Sequence, residues 1–280
     1  LSLPNRWILH RLNRTIGDVT RLAEQYEFGE VGRILYHFIW DELCDWYIEM
    51  AKIDLYSENR EAKRQTQAVL VYALDHTLRL LHPFMPFITE EIWQHLPHDG
   101  PSITVASWPT VRPELEAPEA EEEMQLIMDV IRAVRNIRAE VNVPLSRGVT
   151  LLIKPFGEKQ EHALKQNQLI INRLANPSQL RIEQALEAPE QAMSAVVKGA
   201  EIYLPLAGLI DLDQELARLN KEKEKLEQEV NRAERKLSNP GFVNKAPAQV
   251  VEAEREKLNS YQKQLEQVVE RMQELRKMAE

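Results

Sequence analysis

The sequence predicts a mainly α protein made of a helix bundle, a small α+β module and a C-terminal antiparallel coiled-coil hairpin. Only 9 of the 280 residues are glycine, and long runs are rich in Leu, Glu, Lys, Gln and Arg, which favour helices. Apolar residues recur every three or four positions in the first half, and a heptad pattern fills the C-terminal region. We therefore divide the chain into residues 1–143, 144–210 and 211–280.

The first part, residues 1–143, has the apolar periodicity of helices that share one core. The pattern places helices over residues 8–23, about 30–55, about 60–81, the segment FITEEIW and about 120–140. Pro83 and Pro86 end the third helix, because proline cannot continue one. We interpret Trp40, Trp46 and Tyr47 as core residues rather than as a stacking platform, since aromatic side chains within an apolar helix usually pack inside.

The second part, residues 144–210, differs in composition from the bundle. The segments GVTLLIKP, QLRIE and MSAVVKGAEIYLPL have the β-branched and apolar content of strands. A helix over about residues 158–174 separates the first two segments. These signals together predict a small α+β module.

The third part, residues 211–280, has the clearest periodicity. Steps of four and three connect a series of seam positions: Leu212, Leu216, Leu219, Lys223, Leu226, Val230, Ala233 and Leu237. After a break at residues 239–247, a second series runs from Val251 to Leu275 in the same register. Two heptad helices of about 28 residues, joined by about nine, predict an antiparallel hairpin that projects about 40 Å.

Composition limits the compartment and the function classes. The single cysteine, Cys44, excludes an intramolecular disulfide and suits the cytoplasm. We see neither a signal peptide nor an apolar run long enough for a membrane span, so no membrane partner is expected. The chain starts without Met, and we expect it to be part of something longer. A net charge of −9 argues against indiscriminate nucleic-acid binding.

Motifs for catalysis and metal binding are missing from the sequence. It contains no P-loop, no GxGxxG and no HExxH, so we assign no catalytic residue, no metal and no cofactor to this chain. His95 and His98 form the only close histidine pair, and a solvated helix end explains them better than a metal site does.

Two groups of polar residues in the bundle are candidates for binding RNA. Steps of three place the arginines of IRAVRNIRAE beside the apolar stripe of one helix, where they could contact phosphates or base edges. A solvated face paired with local acids is the alternative interpretation. The candidates are Asn5, Arg6, Arg11 and Arg14 near the N-terminus, and Arg132, Arg135, Asn136 and Arg138 on the last bundle helix.

The tip of the hairpin is basic on an acidic chain. The segment from Arg232 to Lys245 contains four basic residues and one acidic residue, Glu234. Two compatible interpretations stay open for Phe242 and Val243: they seal the end of the coiled coil, or they offer an apolar face to a ligand. The candidates for binding are Lys225, Arg232, Arg235, Lys236, Phe242 and Lys245.

Several of these segments resemble class I aminoacyl-tRNA synthetases. The stretches NRWILHRLNR, FIWDELCDWYIEMAK, LRLLHPFMPFITEEIWQHLP and VIRAVRNIRAEVNVP are similar to their anticodon-binding helix bundle. The stretch KLSNPGFVNKAPAQVVEAEREKL resembles the C-terminal coiled-coil arm of bacterial valyl-tRNA synthetases. The resemblance covers essentially the whole chain.

The resemblance implies a tRNA-binding fragment. In this family the bundle would bind the anticodon region of tRNA(Val), the hairpin would bind the tRNA corner where the D and T loops meet, and the remainder of the synthetase would act in cis. The parent enzyme would attach valine to tRNA using ATP and Mg, as a monomer. Neither an HIGH-like nor a KMSKS-like motif occurs, so we expect this chain to be inactive alone. A non-catalytic coiled-coil protein-interaction module is the alternative.

Overall fold

The structure, a computed structural model, describes residues 1–205, 212–243 and 247–277. These residues form two compact units, one of Leu1–Pro189 with Met193–Leu204 and one of Glu190–Ala192 with Pro205–Glu280. The predicted fold class is confirmed, since the described residues are mostly helical and include one four-stranded sheet. The three-part division of the chain stays a prediction. None of the described helices is long and apolar enough to cross a membrane.

The bundle follows the predicted order of helices. Its elements are α1 (Leu3–Glu24), α2 (Phe28–His37), a π-helical segment (Phe38–Ile48), α3 (Glu49–Leu55), α4 (Arg60–Leu81), α5 (Pro86–Trp93) and α6 (Pro118–Glu140). Single 3₁₀ turns at Ile103–Val105 and Pro113–Leu115 interrupt the proline-rich connection. The Asn59 side chain begins α4 by accepting from the amides of Glu61 and Ala62, both at 3.1 Å.

The core of the bundle lies between α1, α2, α4 and α6. The apolar stripe of α1 is buried at Ile8, Leu12, Ile16 and Val19. It packs on a matching stripe of α6, whose buried members are Met124, Ile127, Val130, Ile131, Val134 and Ile137. Burial of apolar area on this scale is the main stabilising term of a helix bundle.

The π-helical segment carries the three aromatic residues interpreted as core. Trp46 and Tyr47 are buried, as predicted. The prediction is wrong for Trp40, which is 53% exposed. Trp40 lies four residues after the exposed Tyr36 and the two rings are in contact, with centroids 6.2 Å apart. The pair therefore forms an outer face where α2 continues into the π-helical segment, which a sequence rich in apolar residues on more than one side does not reveal.

The α+β module contains a mixed sheet with strand order β2-β1-β4-β3. Its strands are β1 (Val149–Pro155), β2 (Pro177–Ile182), β3 (Ala192–Val197) and β4 (Ala200–Pro205). Strand β1 pairs parallel with β2 and antiparallel with β4. The predicted helix between β1 and β2 is two helices, α7 (Glu158–Gln166) and α8 (Gln168–Ala175), because the backbone of Asn167 leaves the helical conformation.

The hairpin consists of α9 (Leu212–Leu237), the single turn α10 (Pro240–Val243) and α11 (Ala248–Lys277). Leu219, Val268 and Met272 form a buried cluster against which Leu216 and Leu226 pack. The Lys236 ammonium lies 3.0 Å from Glu254, and Gln262 approaches Glu234 at 3.4 Å. Residues late in α9 thus meet residues early in α11, whereas Leu219, early in α9, packs with Val268 and Met272, late in α11. This confirms the antiparallel pairing and the predicted seam at these positions. The side chains of Leu212 and Leu275 lie outside the described residues.

Candidate nucleic-acid interface

Arg11 of α1 is bound by acidic side chains from two other elements. Its guanidinium makes a bidentate pair with Glu42 of the π-helical segment, at 2.9 and 2.6 Å, and a third bond to Glu121 of α6 at 2.6 Å. The hydrogen bond to Glu42 raises the pKa of Arg11 above its ordinary value. Each guanidinium nitrogen already donates to a carboxylate, so Arg11 connects three elements of the bundle, and its contact with tRNA stays a prediction.

Glu121 gathers three donors from α1. Arg14 approaches its carboxylate at 3.0 Å and the His10 Nε2 at 3.2 Å, beside the bond from Arg11. The Ala117 amide donates to His10 Nδ1 at 3.1 Å, so a neutral His10 carries its proton on Nε2 and donates it to Glu121. Burial raises the pKa of Glu121, but the charges of Arg11 and Arg14 outweigh it and lower the pKa below its usual value.

The other two N-terminal candidates lie in different surroundings. Asn5 is buried, where it donates to Thr66 Oγ1 at 2.9 Å and accepts from the Tyr47 hydroxyl at 2.6 Å. Arg6 lies 3.6 Å from Glu119 and is partly exposed. The structure therefore brings Arg6, Arg11 and Arg14 along one side of α1 opposite acids of α6, whereas Asn5 points into the core.

Two arginines of α6 lie over one indole ring. The guanidinium carbons of Arg132 and Arg135 are 5.1 and 5.7 Å from the centroid of the buried Trp46. Arg135 also donates to the Leu174 carbonyl, at 3.2 and 3.3 Å. Arg132 is exposed, and its ion partner is Asp129 one turn earlier, at 3.1 Å. Arg132 thus presents an ordered guanidinium to solvent.

The last two α6 candidates differ sharply in exposure. Asn136 is exposed one turn after Arg132. Arg138 is 1% exposed and donates to the carbonyls of Ala175, at 3.0 Å, Pro144, at 2.5 Å, and Arg147. Burial lowers the pKa of Arg138. Arg138 therefore fastens the α+β module to the bundle, and a contact between Arg138 and tRNA stays a prediction.

A cleft of about 440 Å³ opens beside these side chains, between α1, the π-helical segment and α6. Arg11, His37 and Arg132 contribute its basic groups. Its acids are Asp41, Glu42, Asp45 and Glu121. A cleft with this mixed lining suits the hydrogen-bonding edges of a base better than it suits a bare phosphate.

The end of α9 nearest the turn carries three of the candidate basic residues of the hairpin: Arg232, Arg235 and Lys236. Arg232 is 79% exposed and lies 3.9 Å from Glu229. Gln228, Asn231, Arg232 and Arg235 together line a shallow depression of about 310 Å³. Lys225 is exposed two turns earlier on α9. Lys236 pairs with Glu254 across the hairpin, so Arg232 and Arg235 are the more accessible of these three basic residues.

The turn of the hairpin positions Phe242 beside this charge. Asn239 Oδ1 accepts from the Gly241 amide at 2.8 Å, and the Phe242 amide donates to the Asn239 carbonyl at 3.0 Å. The Lys236 ammonium lies 5.1 Å from the centroid of the half-buried Phe242 ring. Both interpretations of Phe242 stay open. Lys245 and the Val243 side chain lie outside the described residues.

His95 and His98 do not converge. His95 is exposed near Glu91, whereas the His98 ring lies 3.8 Å from that of Trp93. Across the described ranges, no group of three or more His, Cys, Asp or Glu side chains is placed to hold a metal ion.

Residue spacing could not reveal the partners of the candidate arginines. Glu42 and Glu121 are 31 and 110 residues from Arg11 in sequence, and the Leu174 carbonyl is 39 residues from Arg135. Arg132 has the local acidic partner that the alternative interpretation expects, because Asp129 lies one turn away, and its contact with tRNA stays a prediction. For Arg11 and Arg14 the acids come from other helices, which a local pattern does not show.

Comparison with known proteins identifies the two parts separately. A family model described as the anticodon-binding domain of tRNA ligase matches residues 5–153, and one described as the valyl tRNA synthetase tRNA binding arm matches residues 211–276. The valine–tRNA ligase of Geobacillus kaustophilus is 57% identical over 276 residues, which is 99% of this chain and 31% of that protein.

Further relatives give the same result. The valine–tRNA ligase of Anoxybacillus flavithermus is 59% identical over 275 residues, and that of Bacillus subtilis is 55% identical over 275 residues. Each match covers 98% of this chain and 31% of the relative. The chain therefore spans less than a third of the length of these relatives and matches their C-terminal part.

Proposed function

The chain belongs to the family of anticodon-binding domains of tRNA ligases, and from this membership we propose that it is the tRNA-binding C-terminal part of a valine–tRNA ligase. The bundle binds the anticodon region of tRNA(Val), and the hairpin binds the corner where the D and T loops meet. The remainder of the ligase acts in cis.

The observation that carries the proposal is the exposed guanidinium pair at the hairpin tip. Arg232 and Arg235 line one depression on α9 and project from an otherwise acidic chain. Exposed arginines without a tight carboxylate partner bind phosphate oxygens well, because the planar guanidinium donates two parallel hydrogen bonds. They lie within the segment that matches the tRNA binding arm model.

The bundle contributes a surface of a different kind. Arg132 is oriented by the Trp46 ring and borders the cleft, and Asn136 is exposed on the next turn. Unpaired loop bases can stack on a guanidinium plane and hydrogen-bond to an amide, whereas bases inside an RNA duplex cannot be reached in this way. Arg132 and Asn136 are therefore the α6 residues best suited to an anticodon loop.

Two surfaces on one chain strengthen the binding of one tRNA. Once either surface has bound, the other meets its part of the same tRNA at a high effective concentration. The combined affinity then exceeds that of either contact, and the tRNA is fixed in orientation. Such positioning is what a distant catalytic site needs.

The reaction itself belongs to the parent enzyme in this proposal. That enzyme attaches valine to tRNA(Val) with ATP and Mg, as a cytoplasmic monomer. The present chain contributes binding and no catalytic residue, and we expect the isolated chain to show no valine-dependent exchange of pyrophosphate into ATP. Measurable exchange by the isolated chain would contradict this division of roles.

A binding titration tests the proposal. The chain is titrated with valine tRNA and with an unrelated tRNA at about 50 mM and about 200 mM salt. We expect tighter binding of valine tRNA at both salt concentrations, and weaker binding of both tRNAs at the higher one. If neither tRNA binds at the lower salt concentration, the proposal fails for this chain.

A further inference from the structure

One end of the bundle exposes a group of large apolar side chains, which we call the aromatic patch. Its members are Tyr26, Phe28, Phe84, Met85, Phe87 and Ile88. The Tyr26 and Phe28 rings meet edge-to-face at 6.1 Å, and Phe28 meets Phe84 at 6.2 Å. The patch thus joins the turn between α1 and α2 to the turn between α4 and α5.

The outward orientation of the patch follows from how α5 packs on the bundle. Helix α5 already buries Thr89 and Trp93 against the bundle, and this orients Phe87 outward with 90% exposure. Scattered single apolar residues are normal on a surface, but contiguous patches of large ones usually mark a contact with another surface. None of these side chains belongs to the interface proposed for tRNA.

The rim of the patch limits what can cover it. Glu24 and Glu27 flank Tyr26, and Glu91 lies one turn after Phe87, whereas Glu30 is paired with Arg33 at 2.8 Å. An acidic rim repels a polyanion, so tRNA is disfavoured. In a symmetric dimer the same patch faces itself, so the glutamates of two copies would meet. The rim therefore favours a partner with an apolar centre and basic borders.

We propose that the aromatic patch is the docking surface for the part of the ligase that this chain does not include. The inference rests on the proposed function, in which the chain is a portion of a longer enzyme. Relatives at 55–59% identity are about three times as long as the matched region, which covers 31% of them. Because both surfaces belong to one polypeptide, a modest patch is sufficient to dock them.

Hydroxyl-radical footprinting tests the proposal directly, because Tyr, Phe and Met side chains are modified according to their exposure. The 280-residue chain and the full-length ligase are compared without tRNA, with Phe156 of the α+β module as the exposed reference residue. Phe87 is 90% exposed in this chain and would lose most of its solvent-accessible area in the core of an interface. The rate at which hydroxyl radicals modify Phe87 should therefore be at least about fivefold lower in the full-length enzyme.

Three other results would overturn the proposal. Equal modification of the patch in both proteins means that the rest of the ligase does not cover it. Protection in the 280-residue chain that rises with protein concentration indicates a second copy. Protection that requires added tRNA indicates a nucleic-acid contact. None of these results depends on whether the chain binds tRNA(Val) specifically, so the proposed function is judged separately.

A pair of variants provides the control. Phe87→Asp places a charge on the most exposed member of the patch, whereas Tyr56→Asp changes an aromatic residue of similar exposure, 79%, outside it. In the full-length ligase we expect Phe87→Asp to restore modification of Phe28 and Met85 to the level of the isolated chain, and Tyr56→Asp to leave it low. Equal modification of Phe28 and Met85 in the two variants would refute the docking surface. Both variants of the isolated chain should unfold like the unmodified chain.

Discussion

The guanidinium carbon of Arg132 lies 5.1 Å from the centroid of the Trp46 ring. Trp46 is buried and cannot turn away, so the arginine is kept in one orientation at an exposed surface. Arg135 shares the ring, but it also donates to the Leu174 carbonyl. Arg132 is therefore the arginine of this pair that is both oriented and accessible.

Replacing Arg132 should weaken tRNA binding without affecting the fold. We expect Arg132→Ala to reduce the affinity for valine tRNA by about three- to tenfold, the loss of one stacking or charge-assisted contact. Arg21→Ala is a matched control, because Arg21 also forms an exposed pair with an acid three residues earlier, Asp18. Equal affinities of the two variants, measured by filter binding, would remove Arg132 from the interface.

Removing charge from the hairpin tip should change the salt dependence as well as the affinity. The triple variant Arg232→Ala, Arg235→Ala and Lys236→Ala should bind tRNA at least about tenfold more weakly at low salt, with a salt slope smaller by about 1 to 3. The slope matters because each lost phosphate contact no longer releases counterions. Affinity is measured over a salt series.

The control for the hairpin removes the same charge elsewhere. Lys159→Ala, Lys165→Ala and Arg181→Ala together change three exposed basic residues of the α+β module, each paired with a glutamate. We expect this variant to keep the slope of the unmodified chain. A slope that falls equally in both triple variants would show that the net charge matters and the hairpin tip does not.

Arg138 should matter for stability. Arg138→Ala leaves three backbone carbonyls of the module without their donor, and we expect a loss of about 2 to 4 kcal/mol in the free energy of unfolding. The neighbouring Asn136→Ala, which changes an exposed side chain, should stay within about 0.5 kcal/mol. Denaturant unfolding followed by circular dichroism compares them. A stable Arg138→Ala chain with weak tRNA binding would instead favour direct contact.

Acid should destabilise the bundle partly through Asp75. Its carboxylate accepts from Trp93 Nε1 at 2.7 Å and pairs with Arg79 at 2.9 Å. Burial raises the pKa of Asp75, but hydrogen bonds from His76 and Trp93 and the charge of Arg79 outweigh burial and lower it. A depressed pKa stabilises the fold above the unfolded value of about 3.9, and this stabilisation is lost as the pH falls through the folded value.

The variant Asp75→Asn isolates this contribution. We expect it to be less stable than the unmodified chain by about 1 to 3 kcal/mol near pH 7, with the gap closing below about pH 4. Asp18→Asn, at an exposed pair, should show no such pH-dependent gap. Urea unfolding at several pH values measures both variants. A gap that stays constant down to acid pH would contradict the assignment.

The sequence could predict what depends on local periodicity. Helix α4 spans Arg60–Leu81, as its apolar stripe indicates, and the hairpin buries Leu219, Val268 and Met272 of the predicted seam. Contacts between distant segments could not be predicted, because no spacing rule links Arg11 to Glu42 and Glu121. The same limit applies to Arg138. Its three-residue step from Arg135 is that of a surface arginine, but it donates to a backbone carbonyl of the α+β module, that of Ala175.

The exposure of individual aromatic residues in a helix that is apolar on more than one side could not be predicted from local pattern either. Trp40 and Trp46 both lie in the π-helical segment, yet Trp40 faces solvent and Trp46 the core. Hydrophobicity does not distinguish them, because the distinction depends on which neighbours cover each ring. A sequence pattern reports the faces of a helix only when apolar and polar residues alternate along it.

The most direct test of the central claim is a chemical footprint of valine tRNA with an excess of this chain. The claim is that the bundle and the hairpin bind two separate parts of one tRNA. We predict protection of both the anticodon loop and the corner where the D and T loops meet. The triple variant of Arg232, Arg235 and Lys236 should lose the corner protection and keep that of the anticodon loop. Protection at neither place, with the chain in excess at low salt, would contradict the claim.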